Sequence, residues 1–187
     1  VNSGKTTALI QVAHNYQERG METLLVKPAV DSKGSATIIS RLNVVREVDI
    51  LAKKEDDLLD ILKKEAAKRE KLRCILVDEA QFLTKEQVTQ LFKFAVTCDI
   101  AVICYGLRTD FQMVGFEGSQ QLLLLAHSLE ELKTICSCGR KAVANTRKVN
   151  GKFVFEGSQV AIDGEDDVEY ESLCAQCYFK FSEEQQS

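Results

Sequence analysis

The sequence predicts an α/β domain around a mainly parallel sheet, followed by a small module held together by a metal. Three observations predict it. Continuous apolar runs of strand length alternate with amphipathic helical stretches between residues 5 and 132. A Ser-Gly-Lys-Thr segment at the start of the first helix is matched, 73 residues after Lys5, by an apolar strand that ends in Asp78-Glu79. Beyond about residues 133–136 the chain changes to short strands flanked by two close pairs of cysteines. The boundary there divides the chain into 1–134, a nucleotide-binding α/β domain, and 135–187, a cysteine-bearing substrate domain.

Each element has its own reason. Residues 5–19 predict a helix, because Leu9, Val12, Ala13 and Tyr16 recur on one face and Gly20 suits its C-terminal stop. "TLLVKPAV" (23–30) predicts a buried strand. Residues 53–70 predict a charged helix whose inner stripe is Leu58, Ile61, Leu62 and Ala66. "CILVDEAQF" (74–82) predicts a buried strand running into acids. Thr84 and Gln87 form a capping box for a helix that turns Val88, Leu91, Phe92 and Ala95 inward. "AVICYGL" (101–107) predicts another strand, and 119–132 a further helix. In the C-terminal part, "AVANTRKVNGKFVFEG" alternates around Asn150-Gly151, a strong hairpin signature.

The composition excludes several classes. With 24 Lys and Arg against 28 Asp and Glu, the formal net charge is −4, which disfavours broad nucleic-acid binding. No stretch approaches the roughly 20 apolar residues that a membrane span needs. Seven cysteines with this distribution do not form a secreted disulfide set, so a reducing cytoplasm is expected. Cys74, Cys98 and Cys104 sit among apolar residues and are expected as buried thiols. His14 and His127 are expected on helices in structural roles.

The chemistry lies in two motifs. "VNSGKTT" fits the second half of a phosphate-binding loop, so a short N-terminal piece with the feeding strand is expected before Val1. In such a loop the backbone N–H groups face phosphate oxygens, here around Asn2, Ser3, Gly4, Lys5, Thr6 and Thr7. Lys5 reaches the β- and γ-phosphates, and the Thr6 hydroxyl holds Mg²⁺ with Asp78. Glu79, expected on the opposite side of its strand from Asp78, is free to act as a base. With water as acceptor this is an NTPase; with a hydroxyl it is a kinase. The second motif is Cys136-x-Cys138 with Cys174-x-x-Cys177, a Cys₄ zinc ribbon in the making, the alternatives being core thiols or a redox pair. The polar, acidic loop 156–170 between the pairs is read either as a substrate lid or as an exposed loop.

"SGKTT", "KPAVDSK", "ILVDEAQF", "GLRTDFQMVGF", the cysteine pairs and "VAIDGEDDVEYESLCAQCYFK" occur together and in this order. In that combination the chain resembles the type II thymidine kinases over nearly its whole length. The resemblance implies a RecA-like P-loop domain and a zinc ribbon bearing a lasso loop that closes over thymidine. It implies transfer of the ATP γ-phosphate to the thymidine 5′-hydroxyl, giving dTMP, with deoxyuridine also accepted. Glu79 looks like the general base, while Asp31, Lys33 and Gln81 join the phosphate residues. Lys33 stands where the family more usually has Arg. Phe82, Leu107, Phe111 and Phe116 match nucleoside-pocket positions, and Thr146, Ile162, Asp163 and Tyr170 match lasso contacts. The family further implies structural Zn²⁺, Mg²⁺ with ATP, feedback by dTTP and a homotetramer, with no nucleic-acid or membrane partner. Two readings compete: a P-loop NTPase switch, and a zinc-ribbon nucleic-acid-binding ATPase. The second would use Arg140, Lys141, Arg147, Lys148 and Lys152, against a strongly acidic 156–171.

Overall fold

The computed structural model describes residues 4–30, 37–39, 45–157 and 167–185. The chain divides into two compact units, 4–108 with 116–129 and 109–115 with 130–187. The second unit therefore takes a seven-residue excursion, 109–115, out of the first unit's sequence.

The first unit alternates helices and strands, as the pattern of apolar runs requires. Its elements are α1 (Lys5–Glu18), β1 (Glu22–Pro28), β2 (Thr37–Ile39), β3 (Val45–Glu47), β4 (Ile50–Ala52), α2 (Leu58–Lys68), β5 (Leu72–Val77), α3 (Lys85–Cys98), β6 (Ala101–Cys104) and α4 (Glu117–Leu125). Four strands form a parallel sheet in the order β4-β1-β5-β6, and β2 and β3 pair antiparallel beside it in sequence as a separate hairpin. Both faces of the sheet are covered, which is why β1 and β5 read as unbroken apolar runs. Leu24, Val26, Ile75 and Val77 face Leu58, Leu62, Val88, Leu91 and Phe94 of α2 and α3. The alternate residues Leu25, Cys74 and Leu76 face Leu9 and Ala13 of α1.

Several predicted boundaries shift, each for a local reason. The helix expected over 53–70 starts at Leu58, because the Asp57 side chain caps it by accepting from the Asp60 N–H. Residues 53–56 instead form a turn in which the Asp56 carboxylate accepts from the Lys53 N–H. The helix expected over 119–132 spans Glu117–Leu125 only. Leu124 and Leu129 are 77% and 63% exposed, so a continued helix would have no apolar surface to pack on. His127 consequently lies outside a helix, its ring 5.3 Å from that of Phe92. Strand β6 ends at Cys104 rather than 107, because its partner β5 runs out at the Val77↔Cys104 pair. Of the three isolated thiols only Cys74 is buried; Cys98 closes α3 and Cys104 ends an edge strand, and both are half-buried. The capping box of Thr84 and Gln87 is present as predicted. Strand β4, which edges the sheet, had no counterpart in the sequence reading.

The second unit contains β7 (Ala144–Val149), β8 (Lys152–Val154), β9 (Val168–Leu173) and α5 (Ala175–Glu184). Its sheet is antiparallel in the order β8-β7-β9. The predicted hairpin is there: Asn150 and Gly151 have φ of 51° and 78°, the doubly left-handed turn that Asn-Gly favours. The core is small, with Cys136, Ala144, Leu173, Cys174 and Tyr178 buried and Phe153, Phe155 and Phe181 packed against them.

Candidate functional site

The described residues among those predicted to bind phosphate sit in the first unit, with Asp78 at the carboxyl edge of its parallel sheet. Ligands of open α/β sheets bind at that edge. Gly4 precedes α1 with φ of 73°, a conformation that a residue with a Cβ resists, and its carbonyl accepts the Ala8 N–H. Lys5, Thr6 and Thr7 fill the first turn of α1, at the positive end of the helix dipole. Asn2, Ser3, Asp31 and Lys33 lie outside the described residues.

Asp78 follows β5 directly, and its N–H continues the sheet ladder by donating to the Val26 carbonyl at 2.9 Å. The side chain is buried. Burial pushes its carboxyl above the usual carboxylate range, the Glu79 charge adds to this, and the Glu79 N–H, Lys27 and Lys5 oppose it. Lys5 shows the mirror image: burial lowers its ammonium, while Glu79 and Asp78 hold it up. Two acids and one lysine thus share one desolvated volume, the arrangement that a divalent cation and a polyphosphate would neutralise.

Glu79 does not continue the strand. It takes a left-handed conformation, φ 50° and ψ 39°, which is strained for a residue with a Cβ and turns the chain into a single 3₁₀ turn, Ala80–Phe82. The strand-alternation argument for its direction is therefore replaced by this turn. Three contacts hold it. The Glu79 N–H donates to Asp78 Oδ1 at 3.0 Å. The Ala80 N–H donates to the Tyr105 carbonyl at 2.9 Å. Gln81, buried, donates from Nε2 to Glu79 Oε2 at 2.5 Å, and its Oε1 accepts the Leu107 N–H at 3.3 Å. Gln81 thus spans the two loops and aims the Glu79 carboxylate.

Two glycines make room for this turn, and the sequence reading had not singled them out. A Cβ on Gly106 would meet Gln81 Oε1 at 2.8 Å, and one on Gly118 would meet the carbonyls of Ala80 and Leu83 at 2.6 and 2.7 Å. Ser119 fastens the same corner by donating to the Leu107 carbonyl. Around it, the Phe82 and Phe116 rings meet edge to face at 5.4 Å, with Leu107 half-buried.

The second unit brings together Phe111, Thr146 and Tyr170 of the remaining predicted residues; Ile162 and Asp163 lie outside the described ones. Thr146 is buried and its hydroxyl donates to the Glu171 carbonyl across the β7–β9 ladder at 2.7 Å. Phe111 is buried under the Arg147 guanidinium, and Tyr170 is exposed on β9.

The same unit holds the four cysteines. Cys136 and Cys138 lie on a tight turn closed by the Gly139 N–H to the Cys136 carbonyl and the Cys136 N–H to the Arg140 carbonyl, both 2.8 Å. Cys174 caps α5, its sulfur accepting the Cys177 N–H at 3.4 Å. All four sulfurs lie within 4.8 Å of one another. The Cys138–Cys174 separation of 3.7 Å is far too long for a disulfide. It matches the sulfur–sulfur edge of about 3.8 Å that a tetrahedral site with metal–sulfur bonds of about 2.3 Å requires. The C-x-C turn, one residue short of the usual spacing, therefore still brings its two sulfurs into the cluster. The Arg140 N–H brings Cys138 down to about 6, whereas the hydrogen bond with Cys174 leads the contacts that push Cys177 up to about 12. These four cysteines can hold a metal ion.

A family model described as thymidine kinase matches residues 1–178. The chain is 47% identical over 176 residues to a thymidine kinase of Mannheimia succiniciproducens, covering 93% of this chain and 88% of that one. It is 45% identical over 184 residues to a thymidine kinase of Shewanella oneidensis, covering 97% and 93%. It is 45% identical over 176 residues to a thymidine kinase of Rhodopirellula baltica, covering 93% and 82%.

Proposed function

The chain belongs to the thymidine kinase family, and from that premise we propose that it transfers the γ-phosphate of ATP to the 5′-hydroxyl of thymidine. The observation that carries the assignment of roles is the Glu79 turn. A carboxylate is held in a strained conformation close to the charges of Lys5 and Asp78, with the buried Gln81 amide donating to it. The NTPase-switch and nucleic-acid-binding readings are not favoured, since the relatives are kinases along most of their length.

Phosphoryl transfer asks the protein for positioning and charge neutralisation more than for covalent chemistry. The amides of the loop through Gly4, together with Lys5, draw charge from the β- and γ-phosphates. The Thr6 hydroxyl and the Asp78 carboxylate offer the hard oxygen donors that Mg²⁺ prefers. Bound there with ATP, Mg²⁺ would screen the charge of the transferring group. Glu79 accepts the proton of the 5′-hydroxyl as its oxygen attacks the γ-phosphorus, and ADP leaves. Gln81 keeps the carboxylate aimed through its Nε2 hydrogen bond.

Phe82, Leu107 and Phe116 of the first unit, and Phe111, Thr146 and Tyr170 of the second, are each proposed as nucleoside contacts, as the family resemblance assigns them. The same resemblance supports acceptance of deoxyuridine, inhibition by dTTP and a homotetramer. The four cysteines are proposed to bind structural Zn²⁺, whose tetrahedral tetrathiolate geometry they fit. All seven cysteines are unbridged, which suits a cytoplasmic setting, and no helix among the described residues is long and apolar enough to cross a membrane.

The test is transfer of labelled γ-phosphate with thymidine, deoxyuridine, deoxycytidine or no acceptor in parallel. Thymidine-dependent dTMP is the expected product. Equal release of free phosphate with and without nucleoside would replace the kinase by an NTPase.

A further inference from the structure

We propose that Arg147 is a positioning residue of the nucleoside site: its guanidinium holds the rings of Phe111 and Tyr170 in place. This rests on the reading of those two residues as nucleoside contacts. Arg147 lies on β7 directly opposite Tyr170 in the β7–β9 register. Its guanidinium carbon sits 3.9 Å over the Phe111 ring and 5.8 Å from that of Tyr170. One cation therefore joins the excursion 109–115 to strand β9.

The placement is costly and so calls for a reason. Arg147 is only 6% exposed, and a buried guanidinium loses hydration that an aliphatic side chain never had. Leu or Met would fill the position without that loss. Toward the Phe111 ring, Arg presents a flat, charged surface that stacks on an aromatic face, which neither Leu nor Met offers.

Backbone and ring of the excursion are fixed by different groups. The Asp110 carboxylate accepts the N–H groups of Gln112 and Val114 at 2.8 and 3.0 Å. Tyr178 donates to the Phe111 carbonyl at 2.7 Å, and Asn145 to the Thr109 carbonyl at 3.0 Å. These contacts set the path of the chain without touching the Phe111 ring. Arg147 acts on the ring, so its removal should disturb ring placement while the loop path stays.

The experiment is a double-mutant cycle on the full-length enzyme, using Arg147→Met, Phe111→Leu and the pair, with Arg147→Lys as a fourth variant. Steady-state kinetics are measured for thymidine and ATP, and bound metal per chain is counted. Arg147→Met is expected to raise KM for thymidine about tenfold, the scale of a desolvated cation–aromatic contact. KM for ATP should stay within twofold, kcat within threefold, and metal content unchanged. In the Phe111→Leu background the same substitution should cost no more than about threefold, because the nearer of the two rings is gone and only the longer contact with Tyr170 remains. Arg147→Lys, which keeps the charge and loses the plane, should fall between parent and Met; should the Met variant fail to fold, a thymidine KM unchanged in the Lys variant overturns the proposal and a selective rise supports it. Equal losses in both backgrounds, or parallel rises in both KM values, overturn it. A parent enzyme without thymidine-dependent transfer would instead sink the kinase reading.

Discussion

In the first unit, strands β1 and β5 are buried on both faces, and thirteen residues of one core cluster and six of another pack against helices on either side. In the second unit the buried cluster has five residues, of which two are cysteines. The first is stabilised by apolar area removed from water, roughly 25 cal/mol per Å². Among its described residues the second has far less of that area, and a metal held by the four sulfurs, as proposed, would tie its two knuckles together. An aromatic group supplements it, with Phe153 stacked on Phe181 at 4.8 Å and Phe155 edge-on to Tyr178 at 5.2 Å. The lesson is that one chain can place its predicted phosphate residues on a large apolar core and part of its predicted nucleoside contacts, Phe111, Thr146 and Tyr170, on a much smaller one.

The largest effect should come from breaking the smaller unit's metal tie. Removing the metal with a strong chelator, or replacing Cys174 by Ser, is expected to unfold the second unit and lower thymidine-dependent activity by more than a hundredfold. Apparent metal-binding energies of small tetrathiolate folds reach about 10–16 kcal/mol, more than a five-residue core can replace. ATP binding by the first unit should stay within about threefold of the parent by titration. Intact thymidine affinity after metal removal would mean that the second unit stands on its own core.

Next in size is the chemistry on the stable unit. Glu79→Gln should lower kcat by about 10²–10⁴-fold, the range for loss of a general base, with ATP affinity little changed. Gln at 79 can still hydrogen-bond to Gln81, so the turn should survive. A variant that turns over normally would remove Glu79 from the reaction.

Gly118→Ala probes how rigidly the core supports the site. The new Cβ would meet backbone carbonyls of Ala80, Leu83 and Gln81 at 2.6, 2.7 and 3.0 Å. Backbone cannot swing aside as a flexible side chain does, so destabilisation of about 1–3 kcal/mol is expected in chemical denaturation. Activity should fall further than stability alone explains, since the displaced turn carries Glu79. A neutral result would mean that α4 shifts freely over the turn.

Much of this was legible from the residues, and the exceptions share a cause. Strands β1, β5 and β6 of the parallel sheet, the capping box and the Asn150-Gly151 turn are written in local patterns of burial and turn chemistry. The Cys₄ cluster was legible for a different reason, since thiol pairs at knuckle spacing have few other uses. Glu79 was recognisable as an acid after a strand, but its left-handed turn was not. That turn depends on Gly106, Gly118 and Leu107, which approach Gln81 only in the folded chain. The excursion 109–115 was equally hidden, for nothing in "TDFQMVG" announces that Asp110 and Tyr178 will fix it within the second unit. Strand β4, three residues long, offers no period to read, and α4 stops where its apolar surface runs out rather than at a glycine or proline.

The smallest expected effect has the most informative sign. Asp78 is held above its ordinary carboxyl value by burial and by Glu79. A carboxyl that binds its proton more tightly folded than unfolded makes the fold most stable on the acid side. That stability is lost as pH rises from the unfolded value through the folded one, leaving a fixed cost at neutral pH. Asp78→Asn removes the charge while its Oδ1 can still accept the Glu79 N–H. The ligand-free variant should therefore melt slightly higher than the parent at pH 7, with the gap closing as the pH falls through that window. Lys5 loses one of its two carboxylate neighbours in the variant, which offsets part of the gain; Glu79, the stronger of the two, remains. With Mg²⁺ and ATP added the order should reverse, because ligand stabilises the parent by mass action and the Asn variant no longer offers the anionic oxygen. Melting curves of both proteins, with and without Mg²⁺ and ATP and across pH, would decide it. A variant that melts lower without ligand would show that the Asp78 charge supports the fold of the first unit.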